Sequence, residues 1–399
     1  METASPPPAP EAADRVPIPR LFLAFLRLGA TAFGGPAMVS YMRELAVGRR
    51  RWIGERSFAD GAAMCQSLPG ATAMQMAAYI GLRVRGIGGA LAAYLGFMLP
   101  AVALMLALSA AYETARDLRP VVAAFEGLRA VVVALVANAA YDFGRRTLRR
   151  LSDAPLALGA ACALLYGASP GGVIAAAALL GLLLHLRRER AAPRPPPTSR
   201  AAFRAPLLRA AGATGLVVAA AAALALAAPP LFRLALVMMK VDLLAFGGGF
   251  ASIPLMMHEV VDARGWMDAG RFMDGIALGQ VTPGPLAVTA TFVGHQTAGF
   301  PGAAAATVGV FASSFLVVLA ATPFLDRLNA SPVFRAAVRG VLISFVGLLL
   351  SVACQFAILV PWSWRAAALC TCALAALRLG ADLLWVVIAG SAVSAFLFL

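Results

Sequence analysis

The sequence predicts an all-α polytopic membrane protein of two homologous halves, arranged as inverted-topology repeats with broken or re-entrant helices. Three observations predict it. First, of 399 residues 61% are hydrophobic and 13% charged, with mean hydropathy +0.82, where soluble domains carry about 25% charged residues. Second, apolar stretches at 91–111, 130–141 with its flanks, 156–186, 210–228, 303–324 and 340–360 are on the scale of the roughly 20 residues that cross a bilayer. Third, glycines and prolines interrupt apolar segments at positions that recur between the halves.

In chain order, residues 1–17 are acidic and proline-rich, with no basic region leading into an apolar one. They read as a disordered cytoplasmic tail, not a cleavable signal. Residues 18–188 form the first half. Residues 189–209 are a basic, Pro-rich cytoplasmic linker; the stretch 187–209 holds seven arginines. Residues 210–230 are an extra transmembrane helix with no partner in the first half. Residues 231–399 form the second half.

The repeat is explicit. Phe33-Gly34-Gly35 matches Phe246-Gly247-Gly248, Trp52 matches Trp266, Phe58 and Asp60 match Phe272 and Asp274, Gln66 matches Gln280, and Pro69-Gly70 matches Pro283-Gly284. Arg27 falls opposite Lys240, and Arg129 falls near Arg339. Arg49, Arg50, Arg51, Arg56, Arg83 and Arg85 crowd the first-half loops, whereas "HEVVDARGWMDAGR" at 258–271 mixes acids and bases. Positive-inside counting then has 57–83 enter and leave on one side, and the single added span turns the second half over.

Net charge is +14, and all basic residues except Lys240 are arginines. Their place in short loops fits membrane topology, so nucleic acid is excluded as a partner. Five cysteines without a CxxC pattern and three histidines without a cluster suggest neither disulfides, metal nor cofactor.

The matched breaks carry the functional expectation. A helix interrupted inside a bilayer must satisfy its freed backbone groups within protein or a wet cavity. Paired interruptions in two halves point to a transporter's binding site, and a half-helix N-terminus attracts anions. The substrate-binding candidates are therefore Phe33, Gly34, Gly35, Pro69, Gly70, Phe246, Gly247, Gly248, Gly249, Pro283 and Gly284. Arg27 and Lys240 are candidates to supply charge, against snorkelling or a Lys240–Asp242 pair. Gln66, Thr72, Gln75, Gln280, Thr282 and Thr289 offer amide and hydroxyl donors. Glu44, Asp242, His258 and Glu259 are candidates for proton coupling. Glu126 and Arg129, three apart, are expected to pair on a helix face.

The segments "FLRLGATAFGGPA", "RRRWIGERSFADGAAMCQSLPGATAMQMA", "GGALAAYLGFMLP", "FGGGFASIPLM", "WMDAGRFMDGIALGQVTPGPLAVTATFVG" and "FPGAAAATVGVFASSF" resemble the chromate ion transporter (CHR) family in its long-chain, two-domain form. The resemblance implies a multi-pass protein of the bacterial inner membrane that exports chromate, with sulfate as the related oxyanion, using the membrane potential or proton gradient. It implies a transporter, not an enzyme. Alternating access by rocking of the halves is the expected mechanism. The alternatives are a transporter for another small anion, or an anion channel. A homodimer is a candidate assembly. One departure is local: the family's Leu-Pro-Gly-Pro reads Leu68-Pro69-Gly70-Ala71 here.

Overall fold

The computed structural model describes residues 16–33, 37–190, 204–324, 328 and 330–398. The sequence-predicted tail, save its last residues, and most of the predicted linker lie outside them. The first half runs α1 (Ile18–Thr31), α2 (Ala37–Arg43) continued by a π-helical turn (Glu44–Arg49), α3 (Glu55–Ser67), α4 (Thr72–Ala115), α5 (Arg119–Thr147), α6 (Ala154–Leu165) and α7 (Pro170–Glu189). Helix α8 (Arg204–Ala227) follows; it begins inside the predicted linker. The second half repeats the order: α9 (Pro229–Leu244), α10 (Ser252–Met256) with its π-turn (Met257–Asp262), α11 (Ala269–Val281), α12 (Thr289–Ala321), α13 (Pro332–Leu359), α14 (Trp364–Arg378) and α15 (Leu383–Phe398). Among the described residues, five helical segments are long and apolar enough to cross a membrane.

Local chemistry sets many boundaries. Proline occupies the first turn of α1, α5, α6, α7, α9 and α13, where its missing N–H leaves no helical bond unmade. Ser169, Ser331 and Asp268 cap α7, α13 and α11 by accepting backbone amides with their side chains.

Helix α4 is two antiparallel arms, 72–84 and 87–115. They fold on each other at Gly86, whose φ of 65° and ψ of −152° belong to a region only glycine enters freely. Gly81 and Gly89 touch across the turn. Helix α12 repeats the turn at Gly299 (φ 61°, ψ −152°), and Thr291 and Thr307 hydroxyls meet across it at 2.7 Å.

The breaks also fold the chain back. Gly61 of α3 lies against Tyr79 of α4, and the Tyr79 hydroxyl donates to the Ser57 carbonyl at 3.1 Å. In the second half Gly275 lies against Phe292. Each Pro-Gly break is thus the tip of a re-entrant hairpin. The chain also turns back between α1 and α2 and between α9 and α10: Phe25 of α1 stacks on Trp52 beyond the π-turn, and Lys240 reaches Glu259.

The halves are inverted. Along arm 87–115, Ala101 lies beside Gly284, Met105 beside Gly279, and Tyr112 beside Asp274 and Phe292. Moving along this arm goes from the tip of the second-half hairpin to its base. The first-half hairpin has its base at the start of the same arm. The two hairpins therefore enter from opposite ends.

The C-terminal helices are exchanged between halves. Helix α5 packs with α14 and α15, and α13 packs with α6 and α7. Small residues permit the approach: Gly340 meets the Ala177 carbonyl and Gly181, and Gly127 meets Ser394. A sequence half is therefore not a separable body: each half packs its C-terminal helices within the other. We predict that Gly340→Leu, which forces a side chain into the α7 backbone, lowers stability by about 1–3 kcal/mol, read as a fall in unfolding temperature in detergent; Gly159→Leu, where a Cβ meets open space, leaves it nearly unchanged.

Candidate functional site

The four tips converge. The Gly70 N–H donates to the Ala245 carbonyl at 2.7 Å, and the Gly284 N–H donates to the Ala32 carbonyl at 2.9 Å. Each Pro-Gly tip is thus bonded to the Phe-Gly-Gly tip of the other half, and Pro69 and Phe246 form an isolated antiparallel bridge. Gly70 and Gly284 adopt φ of 112° and 102°, so the cross-half bonds need residues without a Cβ. Gly248 has φ 106° and open space where a Cβ would stand. The amides of Gly248, Gly249 and Phe250, at the start of the 3₁₀ turn Gly249–Ala251, have no acceptor among the described residues.

Asp242, 2% exposed, stands at the centre. Its Oδ2 accepts from the Ser313 and Ser314 hydroxyls, both at 2.6 Å. The Ser314 hydroxyl accepts in turn from the Ala71 N–H at 2.9 Å. Asp242 thereby ties α9 and α12 to the first-half Pro-Gly tip, and it makes no ion pair among the described residues. Gln75, fully buried on the same tip, donates from Nε2 to the Pro69 carbonyl, while its Oε1 has no hydrogen-bond partner.

The other sequence-predicted residues divide. Phe33, Pro69, Phe246, Gly247 and Gly249 are partly buried at the tips, and Pro283 is buried. Gly34 and Gly35 lie outside the described residues. Thr282 and Thr289 give their hydroxyl protons to the Gly279 and Leu286 carbonyls. The Gln280 Nε2 is buried without a partner, Gln66 is exposed, and Thr72 opens the second arm of its hairpin, half-buried. Arg27 is exposed on α1. Lys240 does not pair with Asp242: its ammonium donates to Glu259 at 2.6 Å, and Arg264 holds the other carboxylate oxygen. Two residues apart on a helix, the 240 and 242 side chains point in different directions.

The remaining proton-coupling candidates lie away from the tips. Glu44 pairs with Arg49 on the surface. His258 stands 3.8 Å from Asp262 beside a cavity of about 380 Å³ lined also by Pro254, Ser351 and Gln355. The expected Glu126–Arg129 pair does not form. Arg129 instead makes a bidentate pair with Asp274, both bonds 3.0 Å, and the Tyr112 hydroxyl donates to the same carboxylate at 2.9 Å. Arg339 pairs with Asp153 at 3.3 Å. Sequence reasoning missed Ser313 and Ser314; a Ser-Ser step in the apolar run 303–324 is the signal that could have found them.

Chemically, the tips offer backbone amides, hydroxyls and one carboxylate. Among the described residues no group of three or more His, Cys, Asp or Glu side chains is placed to hold a metal ion.

The chromate transporter family model matches residues 19–182 and 232–396. An uncharacterised transporter of Methanocaldococcus jannaschii is 40% identical over 87% of this chain and 86% of its own length. A chromate transport protein of Pseudomonas aeruginosa is 35% identical over 78% of this chain and 74% of its own, and one of Cupriavidus metallidurans 28% identical over 82% and 80%. No solved structure matches the chain.

Gly70→Ala and Gly284→Ala each place a side chain at a positive φ; each is expected to lower stability by about 1–3 kcal/mol, read as a drop in the unfolding temperature of the purified protein. Gly86→Ala, at the arm turn, is expected to act in the same range but to leave the tip-to-tip bonds intact.

Proposed function

The chain belongs to the chromate transporter family, and on that premise we propose that it exports chromate, or the related oxyanion sulfate, across the bacterial inner membrane as a secondary transporter working by alternating access. The observation that carries this reading is the meeting of re-entrant tips from opposite ends, with amides at Gly248, Gly249 and Phe250 that have no acceptor among the described residues. A dianion placed there is held by N–H dipoles, each half-helix N-terminus contributing a partial positive charge of about half a unit. The Gln280 Nε2, which has no hydrogen-bond partner among the described residues, and Thr72 stand beside the tips as further donors, whereas the Gln75 amide and the Thr282 and Thr289 hydroxyls already donate to nearby carbonyls and Gln66 is exposed. Arg27 and Lys240 supply long-range positive potential from the arms without touching the ligand.

The membrane potential supplies the driving force. An inside-negative potential favours outward movement of an anion by about 2.3 kcal/mol per charge per 100 mV. Where the proton gradient contributes, Asp242 is the coupling group: a carboxylate buried at the tips, with no ion pair among the described residues, and linked through Ser314 to the first-half Pro-Gly tip. Tyr94 of the packed arm 87–115 also lies near Asp242, and its hydroxyl donates to the Phe311 carbonyl. Glu44, His258 and Glu259 are off this path. A channel is the rival reading, and counterflow separates the two, since only a carrier trades a labelled anion for an unlabelled one against its gradient.

In liposomes at clamped potential and pH, labelled chromate uptake is expected to saturate, to fall with added sulfate, and to show counterflow. Chromium leaving the assay reduced, with no accumulation, overturns the transport reading. Arg27→Ala and Lys240→Ala are expected to lower uptake several-fold each, through loss of positive potential near the tips. Asp242→Asn is expected to uncouple: proton movement accompanying the anion, followed with an internal pH dye, disappears, and the pH dependence of uptake flattens.

A further inference from the structure

The frame is symmetric and the hairpins are not. The arm turns at Gly86 and Gly299 have nearly the same dihedral angles, and α5 and α13 are wrapped in matching fashion by the exchanged helices. Yet α11 buries the run from Phe272 to Ala277 and also Gly279, while its counterpart α3 buries only Phe58, Gly61, Met64 and Cys65 over the same length. Helices α10 and α11 pack on α13, and α11 packs also on α5 and α15. Among the described residues, helices α2 and α3 form no comparable seam with the frame.

The repeat-matched aspartates report the same difference. Asp274 is 2% exposed and fixed by Arg129 and Tyr112, whereas Asp60 is exposed and makes no ion pair among the described residues. The frame register fixes what the counterpart of Arg129 is. Gly127 contacts Ser394 on α15 as Gly340 contacts Gly181 on α7, so Arg129 corresponds to Leu342 and Glu126 to Arg339. Arg339 stands about one helical turn before Leu342, the counterpart of Arg129, and is held by Asp153.

We propose that Arg129, Asp274 and Tyr112 form the gate that closes access at the α11 end, and that transport exchanges the conformations of the two hairpin pairs. This rests on the transport reading and adds its moving parts. In the present state the second-half hairpins are docked and the first-half hairpins are released, so the tips are reached from the α3 end, where Arg49, Arg50, Arg51 and Arg56 lie. In the opposite state α11 withdraws from α5, its carboxylate is solvated as Asp60 is now, and α3 docks on α13 with Asp60 beside Leu342, where no arginine pairs it, so that state is the less populated of the two. An ion pair suits this gate: its carboxylate is stable either paired in the docked seam or hydrated in the released one, and only removal of the arginine strands it.

The test is cross-linking of the full chain in membranes, with the five native cysteines replaced and the pair Asp60→Cys and Leu342→Cys introduced. The pair is expected to be joined slowly by a short bifunctional thiol reagent, and its joining to arrest uptake reversibly. Adding Arg129→Gln strands Asp274 in the docked seam and is expected to speed cross-linking about tenfold or more; Tyr112→Phe, which removes one hydroxyl and keeps the ring packing, is expected to speed it less. No cross-link in either background, a rate indifferent to both variants, or a band at twice the chain mass showing that a second copy covers α3, each overturns the proposal. The readout is on the protein, so chromate and sulfate failing as cargo while the cross-linking pattern holds would reject the substrate and leave the gate standing.

Discussion

A break in a helix inside a membrane releases amides and carbonyls that lipid cannot satisfy, each at a cost of several kcal/mol. Here the two Pro-Gly breaks and the two Phe-Gly-Gly breaks satisfy one another across the halves, through Gly70 to Ala245 and Gly284 to Ala32. That exchange requires tips arriving from opposite ends, hence inverted halves. It requires them at one depth, hence arms of matched length. It also requires glycine where the chains meet, since Gly70 and Gly284 both hold positive φ.

The same exchange leaves some amides over. The N–H groups of Gly248, Gly249 and Phe250 have no acceptor among the described residues, open space lies beside Gly248, and Asp242 is tied by Ser313 and Ser314. Dipoles and a neutralisable carboxylate suit a ligand that must be released as well as held. Fixed cations at the same place would hold a dianion too tightly to let it leave. The cations are instead set back: Lys240 on Glu259, Arg129 on Asp274, Arg339 on Asp153.

Much of this was legible in the sequence. The breaks announce themselves because glycine and proline in an apolar run have few structural uses, and their recurrence with Trp52 and Trp266, Asp60 and Asp274 exposes the repeat. The loop arginines indicate the inversion. What the sequence does not carry is long-range pairing. Nothing local says that Gly70 meets Ala245 and not Ala32. Apolar α14 and α15 look alike whether they pack on their own half or the other. Lys240 has acidic neighbours at 242 and 259, and the closer in sequence is the wrong one, because the hairpin brings Glu259 back beside it. Asp60 and Asp274 read identically, although one is exposed and the other locked; a repeat in sequence does not reveal that its copies occupy different states.

The direct measurement is a disulfide between Pro69→Cys and Phe246→Cys in membranes, in a chain otherwise free of cysteine. Antiparallel bridge partners lie about 4.5–5.5 Å apart, inside the 4.4–6.8 Å or so that a disulfide spans. Tips that meet across the halves predict rapid, near-complete oxidation within one chain. No bond under oxidising conditions that readily join thiols elsewhere in the protein would mean that the breaks lie apart, and that the shared site between the halves does not exist.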